Sequence, residues 1–295
     1  MVEETVRLAP AKINLYLEVK SKRPDGYHDI ESVMQTVSVF DRLIFKKGDS
    51  KGKKSIRLSC PGTDLPCDGK NLVYRAAELI FESVGVREYD LEIVLEKRIP
   101  TCAGLGGGSS DAATVLKAVN EIYSLGLTDT ELCFMGAKLG ADVPFCIMGG
   151  TAVTRGIGDV LEPCSPMPPC HIVIACAGEG VSTPWAYGLL DERCDFVSRG
   201  ADAVRFAKVL ETGSLAKVTD AMANVFETVV LPERETARKV KNILDDCGAL
   251  RTMMSGSGPA VMGIFDSEMA AEAAAKRLFT EGIDGYICQP LASGR

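Results

Sequence analysis

With 295 residues, 46% apolar and 25% charged, the chain has apolar material for one or two cored domains and too much of it for intrinsic disorder. Its 33 Lys and Arg against 40 Asp and Glu leave a net charge of −7, which argues against nucleic acid or an anionic membrane surface as a partner. No stretch approaches the roughly 18 uncharged apolar residues of a membrane span, and the acidic start Met1-Val-Glu-Glu lacks the blocks of a signal peptide. Eleven cysteines without a Cys-x-x-Cys pair give zinc or redox chemistry no spacing, and His28 and His171 alone exclude a multi-histidine metal site. A cytoplasmic protein with buried free thiols is expected.

The first strand is legible from Ile13, Leu15, Leu17 and Val19 alternating with Asn14, Tyr16, Glu18 and Lys20. Lys12 and Asn14 share the face opposite the apolar one. Pro24-Asp25-Gly26 makes a turn, and strands are expected over residues 30–40, 43–47 and 55–60. Asn71 can cap a helix that stops at Gly85. Leu91, Ile93 and Leu95 mark another strand, ending at Pro100. The loop Gly104-Leu-Gly-Gly-Gly-Ser-Ser110 follows, then an amphipathic helix carrying Ala112, Val115, Leu116, Val119 and Ile122. The pair Thr128 and Glu131 forms a capping box for a third helix, which ends at Gly140.

In the second half, residues 171–176 read as a buried strand, followed by helices over 183–190, 201–210 and 215–230. Pro232 suits the first turn of another helix and Gly248 its stop. Strands over 250–254, 260–265 and 286–290 enclose an Ala-rich helix over 267–281. The proline-rich run from Pro163 to Pro169 is the expected boundary between domains 1–163 and 164–295. A β-rich half and a helix-rich half predict an α+β protein of two domains.

Four glycines within five residues, between a strand and a helix opened by serines, make a phosphate cradle. Gly104, Gly106, Gly107 and Gly108 let backbone amides approach an anion, and the helix N-terminus adds unpaired N–H groups. Ser109, Ser110 and Asp111 can cap that helix, and the serines can also reach phosphate or a metal. The loop lacks the lysine of a Walker loop, the third glycine of a dinucleotide fingerprint and any protein-kinase motif. A tight structural turn is the competing reading. The second small-residue loop, Ser255-Gly256-Ser257-Gly258-Pro259, is either a hairpin turn or a second wall for the anion.

Asp142, just past Gly140, can accept a proton from a substrate hydroxyl or merely cap a turn. Pro144 biases Val143 to an extended conformation and so sets Asp142 at a chain reversal. Lys12 either pairs with a carboxylate and a reacting hydroxyl or snorkels to water. His28 beside Tyr27 can stack on and hydrogen-bond a base, or be an ordinary loop histidine. Trp185 reads as helix-start packing.

Together, Pro10-Ala-Lys-Ile-Asn-Leu15, Arg23-Pro-Asp-Gly-Tyr-His28, Gly104-Leu-Gly-Gly-Gly-Ser-Ser110, Gly140-Ala-Asp-Val-Pro-Phe145 and Ser255-Gly-Ser-Gly-Pro259 resemble the 4-diphosphocytidyl-2-C-methyl-D-erythritol kinase family of the GHMP kinase superfamily. The second and fourth motifs are the specific ones, and the matches run from Pro10 to Pro259. The resemblance implies a GHMP kinase fold, with an N-terminal ATP-binding domain like ribosomal protein S5 domain 2 and a C-terminal ferredoxin-like domain. It implies transfer of the γ-phosphoryl group of ATP to the 2-hydroxyl of the methylerythritol moiety, with Mg²⁺, in the non-mevalonate route to isoprenoid precursors.

By that resemblance Asp142 is the catalytic base and Lys12 its charged partner. Asn14, Tyr27, His28, Thr183 and Tyr187 face the cytidylated substrate. Asn71, Lys97, Pro100, Gly104, Leu105, Gly106, Gly107, Gly108, Ser109 and Ser110 lie at ATP, with Ser255, Gly256, Ser257 and Gly258 in the second loop. No metal ligand is assigned. The implied partners are the two small molecules, with no nucleic acid or membrane, on a monomer or weak homodimer. Thr101-Cys102-Ala103 departs from the family's usual small or apolar residues and exposes the site to thiol reagents. A mevalonate or homoserine kinase would lack a reason for the Tyr-His pair. A non-catalytic sensor would be expected to have lost Asp142 or Lys12, and an S5-like RNA-binding module would need a basic stripe.

Overall fold

The computed structural model describes residues 4–193 and 202–293. In chain order these form β1 (Glu4–Lys22), β2 (His28–Lys47), β3 (Lys54–Ser59), α1 (Leu72–Ser83), β4 (Tyr89–Glu96), α2 (Gly107–Ile122), α3 (Asp129–Ala137) and α4 (Val143–Met148). Next come β5 (Thr151–Arg155), β6 (Val160–Pro163), β7 (His171–Ala175), α5 (Thr183–Arg193), α6 (Ala203–Glu211), α7 (Leu215–Ala221), β8 (Ala223–Asn224) and α8 (Glu227–Val230). After a 3-10 turn at Leu231–Glu233, α9 (Glu235–Asp246), β9 (Arg251–Met254), β10 (Val261–Phe265), α10 (Glu268–Thr280) and β11 (Gly285–Cys288) complete the chain. Contacts divide it into two compact units.

The first unit comprises Met1–Ala11, Phe40–Ile99 and Gly106–Met148. In it β4 pairs antiparallel with the second half of β2, from Arg42↔Glu96 to Lys47↔Leu91, and parallel with β3. Helices α1 and α2 pack an apolar core that includes Phe45, Ile80, Phe81, Ile93 and Leu116. Phe81 stacks on Tyr89 with ring centroids 4.1 Å apart and takes Tyr123 edge-on, which anchors α1 over the sheet. Asn71 caps α1 by accepting from Val73 N–H, and the Thr128–Glu131 capping box is present at α3.

The second unit comprises Lys12–Val39, Pro100–Leu105 and Gly149–Arg295. Its antiparallel sheet runs β11-β7-β10-β9. With α9 and α10 packed on it around Val240, Leu244, Phe265 and Ala274, this is the βαββαβ order of a ferredoxin-like domain. The first half of β2 pairs with β5, β5 with β6, and β8 runs parallel to β1 at Tyr16 and Leu17.

Several sequence expectations are corrected. Residues 30–40 and 43–47 belong to one strand, since β2 is continuous through Asp41, whose carboxylate is bonded rather than solvated. The helix expected over 215–230 breaks at Met222, whose extended backbone lets Ala223 and Asn224 join β1. Pro232 sits in the 3-10 turn, and the helix starts only at Glu235. The proline run is not wholly irregular: Pro163 ends β6, paired with Ala152, and β5 and β6 were not anticipated. Residue 201, where a helix was expected to begin, lies outside the described residues; α6 is capped by Asp202, which accepts from Arg205 N–H. Of the ten described cysteines, all free, only Cys60, Cys170 and Cys288 are buried, so the thiols are not uniformly core residues. No helix among the described residues is long and apolar enough to cross a membrane.

Candidate functional site

The glycine-rich loop links the end of β4 to α2. Its last part belongs to the first unit, where Gly106, at φ +67°, is the N-cap of α2 and Ser110 N–H donates to its carbonyl at 2.9 Å. The serines and Asp111 therefore do not cap the helix; the left-handed glycine does, so Ser109 and Ser110 fall within its first turn. Ser110 Oγ and Asp111 Oδ1 are buried without a hydrogen-bond partner.

Beneath that turn lies a charged group of three. Lys97 Nζ donates to Asp41 Oδ2 and to Asp111 Oδ2, the latter at 2.8 Å, and its side chain is 7% exposed. Burial opposes the Lys97 charge, but Asp111 and Asp41 outweigh it and raise its pKa. Burial pushes the Asp111 carboxyl up to about 7; Lys97 opposes that rise and Asp41 adds to it. Lys97, expected at the nucleotide, is thus committed to two carboxylates. Asn71 is likewise engaged, accepting from Val73 N–H and donating to the Pro66 carbonyl at 2.8 Å.

Asp142, half-buried in the first unit, precedes α4 directly, and its carbonyl accepts from Cys146 N–H at 3.1 Å. Val143 and Pro144 are helical rather than extended, because proline is tolerated in a first turn where its missing N–H has no partner to lose. Asp142 is therefore set by a helix start. Gly136 makes room for this: a Cβ there would lie 2.8 Å from Val143.

In the second unit β1 carries Lys12 and Asn14, 5% and 1% exposed, side by side as the alternation requires. Lys12 Nζ donates to Asn14 Oδ1 at 2.9 Å, Asn14 Nδ2 to Ser32 Oγ at 2.8 Å, and Ser32 to the Tyr16 carbonyl at 2.6 Å. The amide of Asn14 is thereby locked with its oxygen toward the lysine. Ser32, on β2, had no signal in the sequence beyond its place in a strand.

The second small-residue loop packs on the first part of the glycine-rich loop. Ser255 Oγ donates to the Gly104 carbonyl at 3.0 Å, and a Cβ on Gly104, at φ +79°, would lie 2.1 Å from the Ser255 carbonyl oxygen. Lys12 N–H donates to the Leu105 carbonyl at 2.9 Å, joining β1 to the same loop. Asn224 holds the second loop from behind, donating to the carbonyls of Met254 and Gly256 at 2.7 and 2.8 Å and accepting from Phe226 N–H. A sequence cannot single out this asparagine, because its partners lie 30 and 32 residues away.

The Pro24-Asp25-Gly26 turn is present, with Gly26 at φ +87°, and leaves Tyr27 62% exposed. His28 is buried, stacks on Tyr187 with ring centroids 4.5 Å apart, and bonds Asp191 Oδ1 through Nε2 at 2.7 Å. Asp191, missed in the sequence, is also paired with Lys22 at 2.5 Å. Thr183 Oγ1 lies 3.2 Å from Ser257 Oγ, so α5 brings both of its candidate residues to groups already singled out. Trp185 packs in the first turn of α5 under the Arg234 guanidinium, as its helix-start reading required. Cys102, exposed and at φ +53°, accepts from Val181 N–H through its carbonyl.

The candidate residues thus form two sets. Asn71, Lys97, Gly106–Ser110 and Asp142 belong to the first unit; Lys12, Asn14, Tyr27, His28, Pro100, Gly104, Leu105, Thr183, Tyr187 and the 255–258 loop belong to the second.

The family model described as GHMP kinases N terminal domain matches residues 71–150, and that for GHMP kinases C terminal matches 206–284. The 4-diphosphocytidyl-2-C-methyl-D-erythritol kinase of Exiguobacterium sibiricum is 42% identical over 282 residues, covering 94% of this chain and 93% of its own. The protein of the same name from Pelotomaculum thermopropionicum is 43% identical over 270 residues, covering 91% and 92%. A crystal structure of 4-(cytidine 5'-diphospho)-2C-methyl-D-erythritol kinase superposes with a TM-score of 0.81 at 33% identity, covering 97% of this chain and 99% of that one. Homoserine kinase from Cytophaga hutchinsonii, at 21% identity and a TM-score of 0.75, shares the fold. A chain with this much sequence in common with its relatives, along nearly their whole length, belongs to the 4-diphosphocytidyl-2-C-methyl-D-erythritol kinase family of ATP-dependent GHMP kinases.

Proposed function

We propose that the chain transfers the γ-phosphoryl group of ATP to the 2-hydroxyl of 4-diphosphocytidyl-2-C-methyl-D-erythritol, giving the 2-phosphate and ADP, in the non-mevalonate route to isoprenoid precursors. The observation that carries this is a loop of four glycines that opens a 16-residue helix and supports its approach on a second small-residue loop at Ser255. Phosphoryl transfer asks a protein chiefly for positioning and charge neutralisation, and backbone amides at a helix N-terminus supply both.

In this reading Asp142 takes the proton of the attacking hydroxyl as its oxygen bonds to the γ-phosphorus and the bond to the β-phosphate oxygen breaks. Lys12, oriented by Asn14, supplies positive charge at the accepting hydroxyl. Tyr27, His28, Thr183 and Tyr187 hold the cytidylated alcohol, with Asn14 at its methylerythritol end. Gly104–Ser110 cradle the ATP phosphates, with Asn71 and Pro100 beside the nucleotide and Lys97, bonded to Asp41 and Asp111, under the start of the helix. Ser255–Gly258 back the cradle.

Among the described residues no three His, Cys, Asp or Glu side chains gather into a cation site. Mg²⁺ would neutralise the charge of the polyphosphate. The buried, unpartnered Ser110 hydroxyl is the oxygen of this chain suited to it. The two family matches, to residues 71–150 and 206–284, support a division of the sequence near residues 163 and 164, although the second compact unit also draws in residues 12–39, 100–105 and 149–163. The protein acts in the cytoplasm on small molecules, as a monomer or weak homodimer.

Coupled ADP release with Mg-ATP tests the reading, comparing the cytidylated alcohol with mevalonate and homoserine. Turnover restricted to the cytidylated alcohol is expected. Turnover only with another alcohol overturns the substrate, and ATP binding without any turnover overturns the reaction.

A further inference from the structure

Where the ladder between β2 and β4 ends, at Arg42↔Glu96, a side chain takes over the backbone's work. Asp41 Oδ1 accepts from Arg98 N–H at 2.5 Å and Ile99 N–H at 2.8 Å, while Oδ2 accepts from Lys97 Nζ. Asp41 is fully buried, so these three donors fix the direction in which the chain leaves the sheet to enter the glycine-rich loop. Lys97 then reaches across to Asp111, four residues into α2, where the same loop ends. One ammonium therefore ties the entry of the loop to its exit.

The loop is shaped around this tie. A Cβ on Gly107, the first residue of α2, would lie 3.2 Å from Lys97 Nζ and 3.1 Å from Ile99 Cγ2, so the helix start sits closely over the ammonium and a larger residue there would press on it by a few tenths of an ångström. Energetics argue that stability is not what the group supplies. Two carboxylates share one cation in a buried site, the desolvation of all three charges is large, and apolar residues of like volume commonly serve a fold as well or better. A geometry that must be held, rather than a core that must be filled, accounts for it.

We propose that Asp41, Lys97 and Asp111 form a positioning clamp that sets the amides of Gly106–Ser110 for the phosphates of ATP, acting on the nucleotide through the loop. The inference rests on the reading that this loop cradles ATP, and the experiment separates the two. Asp111→Asn keeps the shape but loses the charge; Lys97→Met removes the tie and Lys97→Arg restores a cation; Gly106→Ala disturbs the loop itself at its left-handed residue. For each purified variant the affinities for Mg-ATP and for adenosine are measured by calorimetry well below its melting temperature, with kcat and both KM values.

Asp111→Asn and Lys97→Met are expected to weaken Mg-ATP binding roughly ten- to hundred-fold, the scale of loss for a displacement near 1 Å. Adenosine affinity and the KM of the alcohol should stay within about twofold, and Lys97→Arg should recover most of the loss. If both variants melt earlier yet bind Mg-ATP normally, the clamp is merely structural and the inference falls. If Gly106→Ala also binds Mg-ATP normally, the cradle falls with it; if only Gly106→Ala binds poorly, the clamp alone is overturned. Should Lys97→Met fail to fold, the nearly isosteric Asp111→Asn carries the test.

Discussion

Replacing Gly104 with alanine separates two costs that a glycine-rich loop usually confounds. The residue sits at φ +79°, and its added Cβ would lie 2.1 Å from the Ser255 carbonyl oxygen, 3.0 Å from that carbonyl carbon and 3.1 Å from Gly258 N. Heavy atoms in contact rest about 3.5 Å apart, so the nearest pair is short by roughly 1.4 Å. All three atoms are backbone, and none can rotate away. The left-handed φ alone costs about 1–2 kcal/mol, and overpacking adds about 1–3 kcal/mol. Gly248→Ala supplies the control, because Gly248 has φ +82° with nothing within 4 Å of its Cβ position. Urea unfolding of the two variants should differ by the overpacking cost alone. Forcing the 255–258 loop away also disturbs the Ser255–Gly104 hydrogen bond, so kcat/KM for ATP should fall about a hundredfold in Gly104→Ala. Equal destabilisation in the two variants, with kcat/KM for ATP retained in Gly104→Ala, would refute the claim that these loops support each other.

Asn224→Ala removes three hydrogen bonds to buried backbone groups, at about 1 kcal/mol each. A loss near 3 kcal/mol is expected, with faster amide exchange in residues 254–258; unchanged exchange there would contradict its role. Asp142→Asn should lower turnover by about 10²–10⁴-fold with little change in ATP affinity, and near-normal turnover would remove the base assignment. Asp90 is held below the usual carboxylate range by hydrogen bonds from Arg57 at 2.7 Å and Lys53 at 3.3 Å. Its folded pKa is depressed, so its contribution is present above the ordinary aspartate value near 3.9 and is lost as pH falls through the lower folded value. The stability gap between the native protein and Asp90→Asn should therefore close on acidification from about pH 5 to pH 2.5. A gap independent of pH would show that the pair does not act through charge.

What the sequence determined by itself is local. The alternation after Ile13 predicted that Lys12 and Asn14 share a face, and their side chains are bonded at 2.9 Å. The caps at Asn71 and Thr128 are present because capping is settled within three residues. The left-handed turns at Gly26, Gly104 and Gly106 follow from glycine's freedom at positive φ. The family motifs located the loops and Asp142.

Only the tertiary structure decided which polar groups are spent on one another. Asp41 and Lys97 are 56 residues apart, His28 and Asp191 163, and Asn14 and Ser255 241, distances over which no periodicity carries information. The same limit explains the failed expectations. Residues 215–230 have helical pattern throughout, yet the chain opens at Met222 because Ala223 and Asn224 gain a parallel partner in β1. Burial of a polar side chain is tolerable only where a partner meets it. Those partners are chosen by the fold, so the supports behind the site could not be read from the motifs that announce it.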